Sequence, residues 1–288
     1  MLKIGLSSYS LSKAMNAGEM DILGAIRWIS ENGGEHMELS PGNLVLAGNN
    51  ALVKEIVKQA ADCGIPLSSY TIGANFITAT EDAFQKEIKR VKSEVDIAAA
   101  LGVKRMRHDA GSRPPADSTV ANFEKDLPKL VEACRAVADY AKQYGIVTSV
   151  ENHGYHVQGS ERVQRLVLAV DRENFRTTVD IGNFLCADED PVSAVKNNIN
   201  LASMVHFKDF YRRPPQSDLG DGWFKSKAGY FLRGSIVGQG DIDIPSVVKI
   251  IKSSGYDGFI SIEFEGMEDC RTGSKIGLQN LRRYFDTM

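Results

Sequence analysis

The sequence predicts one (β/α)8 barrel spanning residues 1–288, and three observations support this fold class. Eight short apolar patterns typical of strands recur along the chain, each followed by a helical pattern or a long connection. Several helical patterns end in a glycine that directly precedes the next apolar strand: Gly64, Gly102, Gly145 and Gly255. Glycine readily takes up the left-handed conformation that stops a helix, so each marks a return into a parallel strand. In addition, the last four strands each carry a metal-competent side chain at the carboxyl end.

The first half of the chain alternates regularly between strand and helix. A first strand covers residues 2–8, and Asp21 caps a helix that stops at residues 32–34. Further strands are predicted at residues 35–39, 65–70 and 103–107, and the helices between them at residues 51–63 and 81–101.

The second half repeats this alternation. A helix is predicted at residues 118–144, and Pro128 is expected to bend or divide it. Strand stretches follow at residues 146–154, 175–183, 202–209 and 258–266, with helices at residues 160–170, from about Pro191, at 245–254 and at 274–285. No stretch has the composition of a linker between domains. A doubly wound sheet is disfavoured because no G-x-G-x-x-G follows the first strand.

Residues 211–240 form the longest connection in the chain. This segment is rich in glycine and proline and contains no helical pattern. Loops of this length in compact domains are usually functional or disordered. We therefore expect a rim or lid segment at about residues 211–240 within a single-domain barrel.

Composition excludes several classes of protein. The formal net charge of −3 gives no electrostatic reason to expect nucleic acid or an anionic membrane as a partner. No segment approaches the roughly 18 uninterrupted apolar residues of a membrane span. The four cysteines are widely spaced, which suits reduced thiols. The amino terminus enters a strand pattern without the apolar region of a signal peptide, so the expected location is cytoplasmic.

The polar strand ends form the main functional signal. In a barrel the carboxyl ends of all strands converge on one mouth. Four such residues come from successive strands: Glu151, Asp180, His206 and Glu263. A single glutamate at a strand end is more often solvated or salt-bridged. Four metal-competent side chains at equivalent strand ends, however, favour a shared site. Three carboxylates and one imidazole suit Mn²⁺ or Mg²⁺, with Co²⁺ and Zn²⁺ as alternatives.

Longer motifs surround these residues. They are Val150-Glu151-Asn152-His153, Asp180-Ile181-Gly182-Asn183, His206-Phe207-Lys208-Asp209, Gly238-Gln239-Gly240-Asp241-Ile242-Asp243 and Ile262-Glu263-Phe264-Glu265. The chain resembles, over essentially its whole length, the xylose isomerase-like barrel superfamily, in particular its sugar isomerase and epimerase branch, which includes the D-tagatose 3-epimerase group. The resemblance implies that the residues matching Glu151, Asp180, His206 and Glu263 bind one divalent metal. It also implies that Glu151 and Glu263 are the catalytic acid/base pair.

The resemblance also bears on substrate binding. Arg212 stands where the epimerases keep a substrate-binding arginine. Asn183 stands where they often have a substrate-binding histidine, so Asn183 is the candidate for a substrate contact at this position, and which sugar is bound stays open.

Other residues near the strand ends are candidates for substrate contact. His153 and Lys208 share the inward face of their strands with Glu151 and His206 by two-residue alternation. His153 could equally anchor its loop, and Lys208 could equally neutralise the metal ligands. His108 ends the fourth strand, and either a substrate contact or a structural role is open. Glu38 is expected to be a salt-bridge partner.

These features predict a divalent-metal-dependent sugar isomerase or epimerase. The metal would chelate a carbonyl oxygen and a neighbouring hydroxyl, and so stabilise the enediolate that forms when a carbon-bound proton leaves. The same first step would serve a keto-sugar or keto-inositol dehydratase or lyase. A non-catalytic sugar-binding barrel would be expected to lack one of the four ligands. The expected partner is a small sugar or keto-sugar, and a homo-oligomer is compatible with the sequence.

Overall fold

The computed structural model describes residues 2–288 and confirms the predicted barrel. Eight parallel strands close on themselves in the order β1-β11-β7-β6-β5-β4-β3-β2. These strands are β1 (Lys3–Ser7), β2 (Met37–Leu39), β3 (Leu67–Ile72), β4 (Arg105–His108), β5 (Val147–Glu151), β6 (Phe175–Asp180), β7 (Ala202–Phe207) and β11 (Phe259–Ile262). The chain order thus runs round the barrel, as a repeated strand–helix unit requires.

Ten helices accompany the strands in the described part of the chain. They are α1 (Ser12–Asn16), α2 (Ile22–Glu31), α3 (Asn50–Asp62), α4 (Glu81–Ala100), α5 (Val120–Ala141), α6 (Ser160–Val170), α7 (Asn183–Cys186), α8 (Pro191–Asn198), α9 (Ile244–Ser253) and α10 (Cys270–Thr287). Asp21 caps α2 by accepting a hydrogen bond from the backbone of Gly24, as its position predicts. Within residues 2–288, no helix is both long and apolar enough to cross a membrane. All four cysteines are free thiols.

The main core lies between the strands and the outer helices. On α4, for example, Phe84, Ile88, Val91 and Val95 recur at helical spacing, and all are buried. Pro128 lies inside α5, which remains one continuous helix, so of the two expected effects Pro128 does not divide the helix. The short helices α1 and α7 were not predicted, because segments of four or five residues are too short to show a helical period.

Strand register brings the polar strand ends together. Asp180 on β6 pairs with His206 on β7, and His206 pairs with Ser261 on β11. Glu151 on β5 pairs with Thr178, two residues before Asp180. Four neighbouring strands therefore present their last polar residues at one level of the barrel mouth.

The rim segment is more regular than its sequence suggests. It contains β9 (Phe224–Lys225) and β10 (Phe231–Ser235), which form a three-stranded antiparallel sheet with β8 (Asp209–Arg213). The carboxylate of Asp209 accepts hydrogen bonds from the backbone of Gly238 and Gly240, both at 2.9 Å. This contact ties the end of the segment to the start of β8. Strands this short, interrupted by glycine and proline, give no clear alternation, which explains why they were missed.

Candidate metal centre

Glu151, Asp180, His206 and Glu263 meet at the barrel mouth. Each is buried and offers one ligand atom, and these four atoms all lie within 4.8 Å of one another. Three carboxylates so close together in a buried site repel one another unless a cation lies between them. The structure therefore brings together all four residues that the sequence selected as ligands.

His206 is oriented by a carboxylate on β2, three strands away from β7 round the barrel. Its Nε2 lies 2.7 Å from Oε2 of Glu38, and its Nδ1 faces Glu263 Oε1 at 3.5 Å. Glu38 is itself held by the hydroxyl of Thr71 at 2.8 Å. Metal-binding histidines commonly keep the second ring nitrogen against a carboxylate in this way. Burial would lower the pKa of His206, but Glu38, Glu263 and Glu151 raise it well above its ordinary value.

Asp180 has one oxygen that accepts no hydrogen bond, although Nζ of Lys208 lies 3.4 Å from it. Its Oδ1 accepts hydrogen bonds from the backbone of Gly182 at 2.8 Å and Asn183 at 2.9 Å. Its Oδ2 is buried without a hydrogen-bond partner, and so is Nδ1 of His206. Burial raises the pKa of Asp180 to about 6, against the opposing charge of Lys208. Two unpartnered ligand atoms within one carboxylate-rich cluster fit a divalent cation.

Glu151 is held on both of its oxygens. Oε2 forms an ion pair with Nε of Arg107 at 2.5 Å, and Oε1 accepts a hydrogen bond from Asn183 Nδ2 at 2.9 Å. Oε1 also faces Nδ1 of His206 at 3.7 Å, so it is the oxygen turned towards the cluster. Burial would raise the pKa of Glu151, but Arg107 and His206 hold it well below its usual range. Glu151 therefore remains a carboxylate.

Lys208 lies among three carboxylates. Its Nζ is 3.1 Å from Glu263 and from Glu265, and 3.4 Å from Asp180. Burial would lower the pKa of Lys208, but Asp180, Glu265 and Glu263 raise it well above its ordinary value. The ammonium group stays charged and is placed to donate a hydrogen bond beside the cluster.

A second chain of contacts leads from the cluster to the rim of the mouth. NH2 of Arg107 lies 3.0 Å from Asp109, and the same carboxylate oxygen of Asp109 contacts Nδ1 of His153 at 3.1 Å. The side chain of His153 is 50% exposed, and within residues 2–288 its Nε2 has no hydrogen-bond partner. Burial would lower the pKa of His153, but Asp109 raises it. An imidazole oriented by a carboxylate, with its other nitrogen open, is a suitable general base.

His108 does not reach this site. Its ring is fully buried between Phe76 and Phe175, in the layer between barrel and helices. The neighbouring Arg107 occupies the inward position, so of the two roles left open for His108 the structure favours the structural one. The apolar Met106 shares its strand face with His108, and this was the signal that the sequence interpretation missed. Arg107, Asp109 and Glu265 were not selected from the sequence at all.

Arg212 also lies apart from the cluster. Its guanidinium stacks 3.6 Å from the ring centre of Tyr230 and lines a separate pocket of about 510 Å³. None of the four candidate ligands lines that pocket. Arg212, which the resemblance assigned to substrate, is thus held against Tyr230 in a pocket that the four candidate ligands do not line.

We expect Arg212→Ala to affect stability more than catalysis. Loss of the stacking on Tyr230 should lower the free energy of unfolding by about 1 kcal/mol, and kcat/KM should stay within about threefold of the wild-type value. Urea unfolding and steady-state kinetics on the same preparation measure both effects. A decrease of two orders of magnitude in kcat/KM with an unchanged unfolding midpoint would instead place Arg212 against substrate.

A second expectation concerns Glu38. Glu38→Gln should weaken metal binding roughly 10–100-fold, because the amide holds the His206 ring less firmly and makes it a poorer ligand. Titration of metal-free protein with Mn²⁺ measures the affinity, and the exposed Glu31→Gln provides a control of equal charge change. Equal affinities of the Glu38 variant and the wild type would show that the 2.7 Å contact does not support the ligand.

Comparisons with known proteins agree with this architecture. An inosose dehydratase from Lactiplantibacillus plantarum is 28% identical over 209 residues, which are 69% of this chain and 66% of that protein. The matched region is thus slightly less than two thirds of the relative's length. A probable 3-DHS dehydratase, AsbF, from Bacillus anthracis has a TM-score of 0.75 at 17% identity, covering 98% of this chain and 99% of that chain.

A 3-keto-D-glucoside 4-epimerase, YcjR, from E. coli has a TM-score of 0.74 at 18% identity, covering 98% of this chain and 100% of that chain. At these identities the two structural likenesses establish the fold alone. The family described as "Xylose isomerase-like TIM barrel" matches residues 26–284. The chain therefore belongs to the xylose isomerase-like TIM barrel family.

Proposed function

We propose that this protein is a divalent-metal-dependent dehydratase that removes water from a cyclic keto-polyol or keto-sugar. The observation that carries the proposal is the ion pair between Arg107 and Glu151 at 2.5 Å. The isomerase or epimerase expected from the sequence is not confirmed. The similarity to inosose dehydratase supports the dehydratase alternative.

The ion pair favours elimination over epimerisation. An epimerase that uses Glu151 and Glu263 needs each carboxylate to carry a proton at one stage. Arg107 holds one oxygen of Glu151, and the other faces the cluster, so Glu151 is a poor proton carrier. A dehydratase needs only one base near the carbon next to the carbonyl, and the Asp109–His153 pair provides it.

The proposed metal site consists of Glu151, Asp180, His206 and Glu263. The donor set favours Mn²⁺ or Mg²⁺, because three of its four ligands are carboxylate oxygens. When bound, such an ion supplies Lewis-acid polarisation of the substrate carbonyl, which makes the neighbouring carbon–hydrogen bond more acidic.

The side chains around the metal site would carry out proton transfer and orient the substrate. Nε2 of His153 takes the proton from the carbon beside the carbonyl, and Asp109 stabilises the imidazolium that results. The electron pair left on that carbon forms a carbon–carbon double bond as the carbon–oxygen bond of the β-hydroxyl breaks. The departing oxygen takes the proton back from His153 and leaves as water. Lys208 donates a hydrogen bond to a substrate oxygen, and Asn183 orients Glu151 through its 2.9 Å hydrogen bond.

We also propose that the sheet β8–β10–β9 covers the mouth. The hydroxyl of Tyr155 donates to the carbonyl of Lys225 at 2.8 Å, and Nζ of Lys227 donates to the carbonyl of Ser118 at 2.8 Å. The segment thereby contacts the loops that follow β4 and β5. A cover in this position would exclude water during proton transfer.

Proton NMR in D₂O tests the function. Metal-loaded protein is incubated with inososes and 3-keto sugars, with EDTA-treated protein as the control. Loss of the signal from the proton on the carbon that bears the β-hydroxyl, together with formation of an enone, supports the dehydratase. Deuterium wash-in with an intact carbon–oxygen skeleton and inversion at carbon would identify an epimerase instead.

A further inference from the structure

A second pocket, of about 630 Å³, lies beside the barrel mouth and has no part in the proposed chemistry. Its walls come from α2, α3 and the connections that follow β1 and β2. The apolar side chains that line it are Met15, Met20, Ile22, Leu23, Leu44 and Leu52. All of these except Ile22 retain exposed surface. The volume is typical of a site for a small molecule, and the flexible methionines can adapt to its shape.

The pocket adjoins a cavity at the mouth. A cavity of about 430 Å³ at the mouth is lined by Arg107, the partner of Glu151, and by Thr71, the partner of Glu38. The two cavities share the wall residues Tyr9, Ser40, Pro41, Gly42 and Leu44. The ring of Tyr9 is centred 5.9 Å from Nζ of Lys208, so one side chain separates the apolar pocket from the candidate metal centre.

Three of the polar side chains that line the pocket already take part in hydrogen bonds. Asn43 Nδ2 donates to Asn16 Oδ1 at 3.2 Å, and the carboxylate of Asp21 accepts from the backbone of Gly24 at 2.7 Å. A sugar hydroxyl placed here would have to compete for these groups, whereas an apolar group would cover the leucine and methionine side chains. The pocket therefore suits an apolar group better than a second polyol.

We propose that this pocket binds an apolar substituent, aryl or alkyl, carried on the ring of the substrate while the ring itself lies at the candidate metal centre. The inference rests on the proposed function and narrows it. The substrate class becomes keto-glycosides and keto-polyols that bear an apolar group.

Calorimetric titration of the metal-loaded protein with methyl and phenyl 3-keto-β-D-glucopyranosides tests this proposal. Wild-type protein should bind the phenyl compound roughly 10–100-fold more tightly than the methyl compound, because one aromatic ring is buried in the pocket. Leu52→Gln and Met20→Gln should each bring the ratio of the two affinities close to one. Leu168→Gln, at a position on α6 that is 66% exposed, should keep the wild-type ratio.

Thermal melting identifies any variant that fails to fold. If one of the two pocket variants does not fold, the affinity ratio of the other tests the proposal. Equal binding of both compounds by wild-type protein, or an unchanged ratio in the folded pocket variants, would overturn the proposal. The binding ratio is independent of turnover. If the protein prefers the phenyl compound but eliminates water from no keto compound, the dehydratase proposal is wrong and the pocket proposal stands. If it eliminates water but shows no phenyl preference, only the pocket proposal is wrong.

Discussion

His206→Ala is expected to release the metal and to lower kcat/KM by roughly 10³-fold or more, because Lewis-acid polarisation contributes several kcal/mol to transition-state stabilisation. His206 supplies the one nitrogen ligand of the cluster, and its Nδ1 is buried without a hydrogen-bond partner. The alanine variant leaves Glu151, Asp180 and Glu263 with neither the imidazole nor its support from Glu38. Three carboxylates alone should bind Mn²⁺ or Mg²⁺ weakly.

Metal analysis and thermal melting measure this effect. Mn²⁺ should raise the melting temperature of the wild-type protein, because a ligand that binds only the folded state stabilises it. The shift should disappear in His206→Ala. His156→Asn is the control, since His156 is a buried histidine that contacts Asp126 at 2.9 Å outside the cluster. Full metal occupancy in the His206 variant would contradict the ligand set.

His153→Asn is expected to lower kcat roughly 10²–10⁴-fold while metal content stays unchanged, as loss of a general base does elsewhere. The asparagine can still contact Asp109 but cannot accept a proton at neutral pH. Asp109→Asn should produce a smaller decrease, because the imidazole remains but loses the carboxylate that orients it. Single-turnover kinetics with a metal assay on each variant separates the chemical step from metal loss.

His108→Asn is the matched control for this prediction. His108 ends β4, and His153 follows the end of the neighbouring strand β5 by two residues. The ring of His108, however, lies between Phe76 and Phe175 outside the barrel. Its replacement should lower stability and leave the chemical step intact in the folded fraction. An undiminished kcat in His153→Asn would show that His153 is not the base, and Glu263 would then be the next candidate.

The sequence by itself determined the architecture and the candidate ligands. Glycines that stop helices before apolar strands, such as Gly145 with its positive φ of 63°, predict the strand–helix repeat. A barrel then dictates that carboxyl strand ends meet at one mouth. Glu151, Asp180, His206 and Glu263 could therefore be grouped without coordinates, since each lies at or next to the end of a predicted strand.

Only the tertiary structure decided how those residues are supported. Barrel closure places β2 beside β1 and close enough for Glu38 to reach His206, although 168 positions in the chain separate the two (206 − 38). The direction of a polar side chain at a strand end depends on a register of one residue. In Arg107-His108 both residues are polar, so only the alternation with the apolar Met106 indicates that His108 faces outward. The same limit applies to Arg212, because the turn of the chain from β7 into the rim sheet carries its side chain to Tyr230 and away from the cluster. Sequence pattern specifies which residues end a strand, but contacts between distant strands depend on how the barrel closes and on which face each side chain takes.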